Sequence, residues 1–199
     1  MKIEWIHFYV ENAQKWRNWF IYNLGFQALE SNVNHHTHTE VVKSGSICFV
    51  LSSPLSSASP VAEYLSLHPP GVVDIAFCVD DLESVMARAI HHQVKILQPI
   101  QHKPQGNSSF KWCQIAAWGS LRHTLMETED RRMDSEFPLS DYALPTTQSP
   151  IAFTDIDHIV LNVNAGEMEA AVAWYEKVLG FRPQQKFNIY TDKSGSAPS

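Results

Sequence analysis

IDHIVLNV at residues 156–163 and WYEKVLGF at residues 174–181 decide how the whole chain is read. The first is β-branched and apolar, as a strand should be. The second closes a helix. Met168, Ala171, Val172, Trp174, Tyr175 and Val178 form an apolar stripe at helical spacing within Glu167 to Leu179. Gly180 then stands where a helix ends in the left-handed conformation. The same pair of signals opens the chain. Ile3, Trp5 and Val10 match Ile156, His158 and Val163 at one constant offset. After a short insertion, Trp19, Leu24, Gly25 and Phe26 match Trp174, Leu179, Gly180 and Phe181. Helix punctuation explains a shared glycine. It does not explain a strand, a helix, an aromatic residue and Leu-Gly-Phe in one order. A strand–helix–strands unit that recurs predicts an α+β fold of repeated βαβββ modules, paired so that curved sheets enclose a cleft.

The residues between the two copies supply the remaining elements. Asn12 is the expected N-cap of the first helix, Ala13 to Asn23. Thr39–Lys43 and Ser46–Leu51 read as strands, and SSPLSSASP as a loop. A second unit starts with VVDIAFCV from Val72. Asp80 and Glu83 resemble a capping box, and Leu82, Val85, Met86, Ala89 and Ile90 form the buried stripe of the next helix. VKILQPI is extended and KPQGNSS a turn. Phe110–Ala117 and Leu121–Glu127 make a hairpin about Trp118-Gly119-Ser120. The chain thus holds two complete modules and the start of a third. Residues 1–128 form a two-module domain, 129–153 a polar, proline-containing linker, and 154–199 the truncated start of a second domain.

Composition excludes several classes. Hydrophobic residues make up 44% and charged residues 18%, which suits a packed core and not a disordered chain. The net charge of −6 and scattered Lys and Arg argue against nucleic acid. No apolar run reaches membrane-spanning length, and MKIEWIHFYV lacks a signal-peptide layout. Cys48, Cys78 and Cys113 are odd in number and set in apolar runs, so they read as reduced core thiols. A cytoplasmic protein is expected, with self-association possible.

Three motifs, the first moderately specific and the other two individually weak, gain weight from their shared order and spacing. Asp157-His158-Ile159-Val160-Leu161-Asn162, the Trp174–Phe181 helix end and His123-Thr124-Leu125-Met126-Glu127 together resemble the 4-hydroxyphenylpyruvate dioxygenase family. That family lies in the glyoxalase/extradiol-dioxygenase (vicinal oxygen chelate) superfamily. The resemblance runs from about residue 3 to about residue 193 and corresponds to the family's N-terminal part. It implies non-haem oxidation of 4-hydroxyphenylpyruvate to homogentisate, with ferrous iron held by two His and one carboxylate. It also implies 4-hydroxyphenylpyruvate as the small-molecule partner. A 4-hydroxymandelate synthase-like enzyme, or a non-catalytic small-molecule-binding or structural protein of the superfamily, are the alternatives.

The resemblance also assigns residues. His158 matches the first metal ligand. The only later carboxylates are Glu167, Glu169, Glu176 and Asp192, and no later His follows. With one ligand of three, this chain is expected to bind iron weakly or not at all, and no catalytic residue is assigned. In the first two modules Trp5 stands where His158 stands in the repeat. Asp74 and Glu127 resemble the other two ligand strands. Trp5, Asp74 and Glu127 are therefore expected to form a degenerate pseudo-site with Trp5 filling the metal position. Asp157 is expected either to orient its neighbourhood by hydrogen bonding or to take a sheet-edge or surface role. His35, His36 and His38 are expected in a solvated loop. His91 and His92 suit a helix C-terminus. His123 is a strand residue without an assigned role.

Overall fold

The computed structural model of the chain describes residues 1–105, 108–128, 153–186, 188–191 and 195–198. The first module is β1 (Lys2–Tyr9), α1 (Ala13–Leu24), β2 (Gln27–Val33), β3 (Thr37–Ser44) and β4 (Ile47–Pro54). Asn12 caps α1 by accepting a hydrogen bond from Lys15 N at 2.8 Å, and Gly25 closes it at φ 71°. A short helix, α2 (Pro60–Leu67), leads to the second module. That module is β5 (Gly71–Cys78), α3 (Leu82–His91), β6 (Ile96–Gln105), β7 (Ser108–Ala116) and β8 (Arg122–Thr128). Further on come α4 (Met168–Leu179) and a small hairpin of β9 (Asn188–Thr191) and β10 (Gly195–Pro198).

Eight strands form one sheet in the order β2-β3-β4-β1-β5-β8-β7-β6. Each module pairs its first and last strands in parallel, β1 with β4 and β5 with β8. The modules meet where β1 and β5 run antiparallel. One face carries the longer helices. α1 covers Val10, Phe26, Val42, Ile47 and Leu51, with Phe8 and Phe20 packed beside them. α3 and α4 cover Ile75, Phe77, Cys113, Ile115 and Leu125. Among the described residues the other face carries α2 alone, whose Val61 packs with Tyr9 and Val73. The α+β, repeated-module expectation holds. Cys48, Cys78 and Cys113 are free, and burial pushes the thiols of Cys48 and Cys113 up to about 12.

Several local expectations change. β2 forms from QALESNV, whose few apolar residues hid it. As an edge strand it needs only β3 as partner. α2 lies where the proline- and serine-rich loop was read to end. Ser59 caps it by accepting from Val61 N at 3.2 Å, and Pro60 occupies its first turn. The cap of α3 is Asp81, not Asp80: its carboxylate accepts from Ser84 N at 2.9 Å and from Ser84 Oγ at 2.6 Å. Ile90, placed in the buried stripe, is 62% exposed. β6 runs to Gln105 and β7 begins at Ser108, so the turn is shorter than KPQGNSS. Of the linker 129–153, only Phe153 is among the described residues.

The largest correction concerns residues 156–163, which are not a strand. Their counterpart β1 is flanked by β4 and β5. Among the described residues no strand lies beside 156–163, so no ladder can form. The stretch docks at its beginning instead. Thr154 O accepts from Ser46 N at 2.7 Å, Phe153 O accepts from Ser44 Oγ at 3.1 Å, and Ile156 packs on the α1 core.

Candidate functional site

Side chains alternate along β1. Phe8 and Val10 belong to the α1 core, while Trp5, His7 and Tyr9 point to the opposite face. Polar groups from five further strands or strand ends meet there. His7 Nε2 bonds Ser52 Oγ at 2.8 Å, and Ser52 Oγ bonds Thr39 Oγ1 at 2.7 Å. Arg122 Nη2 donates to the Tyr9 hydroxyl at 2.9 Å, with its guanidinium carbon 5.4 Å from the Tyr9 ring centroid. Asp74, opposite His7 in the β1–β5 register, accepts from Thr124 N at 2.8 Å and Thr124 Oγ1 at 2.6 Å. Thr124 Oγ1 in turn accepts from Gln114 Nε2 at 3.1 Å.

The electrostatics follow from enclosure. Burial pushes the Asp74 carboxyl up to about 6, against the opposing pull of the Thr124 hydrogen bonds and Arg122. Burial, and then Arg122, hold the His7 imidazole well below its ordinary value. Near neutral pH this face therefore holds a neutral imidazole, a carboxylate and a guanidinium on three adjacent strands. Such a set can bind and orient a polar small molecule.

The expected pseudo-site is only partly assembled. Trp5 packs with Leu29, Val41, Cys48 and Val50 at one end of this face, and Asp74 lies on it. Glu127 does not reach it. It stands three residues beyond Thr124 on an unbroken register, so it points to the helical face. There its carboxylate accepts from Leu82 N at 2.8 Å and pairs with Lys111 Nζ at 3.3 Å. Met126 takes the corresponding place on the other face. Glu127 also belongs to a group with Asp81 and Glu83 whose carboxylate oxygens lie within 4.8 Å of one another. Lys111 Nζ, Leu82 N and Ser84 N already occupy those oxygens.

His158 is exposed and bonds Asp157 Oδ2 through Nδ1 at 2.8 Å, and Asp157 itself lies on the surface. Among the described residues no other His or carboxylate converges on it, and this donor set does not fit an iron centre. His35 and His36 are exposed. His38 instead lies in β3, with Nε2 2.8 Å from the buried Glu40, which also pairs with Arg17 at 3.4 Å. His91 ends α3 and His92 caps it. His123 is fully buried between β5, β8 and α4.

Sequence reading missed His7, Arg122 and Ser52. A signal existed for the first two. His7 is two residues from Trp5, and Arg122 two from Thr124, so strand alternation puts each pair on one face. Ser52 was hidden by its serine-rich surroundings.

A family model described as the Glyoxalase/Bleomycin resistance protein/Dioxygenase superfamily matches residues 2–114 and 155–197. The uncharacterized protein slr0090 of Synechocystis is 28% identical over 202 residues, spanning 98% of this chain and 53% of that relative. The 4-hydroxyphenylpyruvate dioxygenase of Coccidioides posadasii is 29% identical over 202 residues, spanning 88% of this chain and 49% of the relative. The chain thus spans about half the length of the curated relatives it matches. Among solved structures, a triple mutant of 4-hydroxymandelate synthase from Streptomyces coelicolor superposes with a TM-score of 0.78 at 20% identity. That superposition covers 96% of this chain and 56% of the other.

Proposed function

The chain belongs to the Glyoxalase/Bleomycin resistance protein/Dioxygenase superfamily, and from that premise we propose that it corresponds to the N-terminal half of a 4-hydroxyphenylpyruvate dioxygenase-type protein. Residues 1–128 are then the non-catalytic pair of modules, 129–153 the linker, and 154–199 the opening of the catalytic pair. What carries the reading is continuity: one colinear match runs through both modules into the α4 segment. A stand-alone module pair would match only to about residue 128. The whole activity is oxidation of 4-hydroxyphenylpyruvate to homogentisate in a cytoplasmic setting. In that reading His158 is one of the iron ligands. The described residues bring it no second ligand, so no step of the reaction is derived through iron.

The purified chain, supplied with ferrous iron, ascorbate, 4-hydroxyphenylpyruvate and oxygen, is expected to form no homogentisate. Appending the remaining half of a relative is expected to restore it, and His158→Ala to abolish it again. Product from residues 1–199 alone, lost on His158→Ala, would mean that ligands come from another copy of the chain and would overturn this division of labour.

A second reading is favoured by the placement of His7, Asp74, Arg122 and Tyr9 on one face of three adjacent strands. Residues 1–128 then bind a small polar molecule without chemistry. Calorimetric titration of 4-hydroxyphenylpyruvate without metal separates the two. Binding retained in His158→Ala and lost in Arg122→Ala supports the second reading, and no heat supports the first.

A further inference from the structure

His123 is a buried histidine to which neither the family reading nor the polar face gives a role. It lies on β8, yet its second partner lies beyond the linker. Ring-nitrogen accounting fixes what it does. Nδ1 sits 3.1 Å from Ile75 O. A carbonyl oxygen can only accept, so Nδ1 carries the proton. In a neutral imidazole Nε2 is then an acceptor. The Tyr175 hydroxyl, 3.0 Å away, donates to it. The two residues are 52 apart in sequence. Aromatic rings enclose the contact: Phe77 at 5.1 Å, Tyr175 at 5.6 Å and Trp174 at 6.1 Å between centroids, with Phe181 stacked on Tyr175.

Two more contacts converge on the same helix. Val178 and Leu179 are buried in one cluster with Val85, Met86 and Ala89 of α3. Arg88 Nε donates to Val178 O at 3.0 Å, a carbonyl in the last turn of α4 that no intrahelical donor reaches. Apolar packing alone would leave α4 free to slide or rotate on α3, because dispersion has little direction. The His123 and Arg88 contacts fix its rotation and its height.

We propose that His123 is a positioning residue that locks α4 onto the first two modules, its Ile75-fixed tautomer presenting one acceptor to the Tyr175 hydroxyl. The lock sets where the segment carrying Asp157 and His158 leaves the helix. A strand histidine and a tyrosine of the WYEKVLGF helix end thereby become one device across the linker. The proposal does not depend on the activity assigned above.

The experiment uses the 199-residue chain. Hydrogen exchange compares amides of residues 168–179 with those of β5 and β8. Tyr175→Phe removes one hydroxyl and keeps the ring, so the fold persists. It is expected to speed exchange in α4 about tenfold, the effect of one buried hydrogen bond, and to leave β5 and β8 unchanged. Adding Tyr175→Phe to His123→Phe is expected to have no further effect, since the partner is already gone. Nitrogen-15 shifts of His123 are expected to report the Nδ1–H tautomer. Unchanged α4 exchange in Tyr175→Phe, acceleration spread equally over all elements, multiplying effects in the double variant, or an Nε2–H tautomer would each overturn the proposal.

Discussion

Two residues show how tightly single positions are determined. Gly45, in the turn between β3 and β4, has φ 57°, and a Cβ there would lie 2.7 Å from Phe153 O. Both the backbone conformation and the space demand glycine. Gly45→Ala is expected to free residues 153–156 from the first module, read as faster exchange of the Ser46 amide that now bonds Thr154 O. Asp74 links the polar face to pH. Its folded value is raised from 3.8 to about 6, so its favourable contribution is complete below about 4 and lost as pH rises through 6. That loss is on the order of 3 kcal/mol by neutral pH. His7 and His123 are lowered, so theirs is present above 6.5 and lost as pH falls. The slopes oppose each other. Asp74→Asn is expected to raise the denaturation midpoint at pH 7 and to steepen its fall toward pH 4. A midpoint-versus-pH series would check both.

Helix ends carry information that strands here do not. Asn12, Gly25 and Gly180 behave as caps because capping is local: each satisfies or closes backbone groups within one turn. The start of α3 is different. Asp81 caps it locally, but Leu82 N is satisfied by Glu127 from the distant β8. Glu127→Ala is therefore expected to destabilise the protein by about 1–2 kcal/mol. Denaturant titration would measure this. A ligand role would instead make the loss depend on added ferrous iron. Residues 156–163 show the reverse case. Their composition suits a strand as well as β1 does, but a strand is an element only when a neighbour completes its ladder.

At the scale of the molecule, the α4 segment is part of the core of the second module. Val178 and Leu179 are 1% and 4% exposed, beside Leu82, Val85 and Ala89. Two of its apolar residues are less enclosed: Val172 and Phe181 are exposed at 39% and 40%. A helix half-covered in this way agrees with a module whose own strands do not lie beneath it. Leu179→Ala is expected to cost about 2–4 kcal/mol of global stability, the range for a buried leucine. A marginal loss, measured by thermal or denaturant unfolding, would mean that α4 docks without supporting the core. Among the described residues no helix is long and apolar enough to cross a membrane.

The module repeat, the Asn12 cap and closing Gly25 of α1, Gly180 at the end of α4, the hairpin about Trp118-Gly119-Ser120 and the family are all legible in the order of residues along the chain. Each rests on short-range periodicity or on a motif carried in order along the chain. Which side of the sheet each strand residue faces follows from pairing and packing across the sheet. The tertiary structure turned Glu127 to a helix start and brought His7 beside Asp74 and near Arg122. It left His158 in the open and buried His123 against Tyr175. Those outcomes depend on pairing and packing between residues distant in sequence, where the same local pattern permits more than one partner.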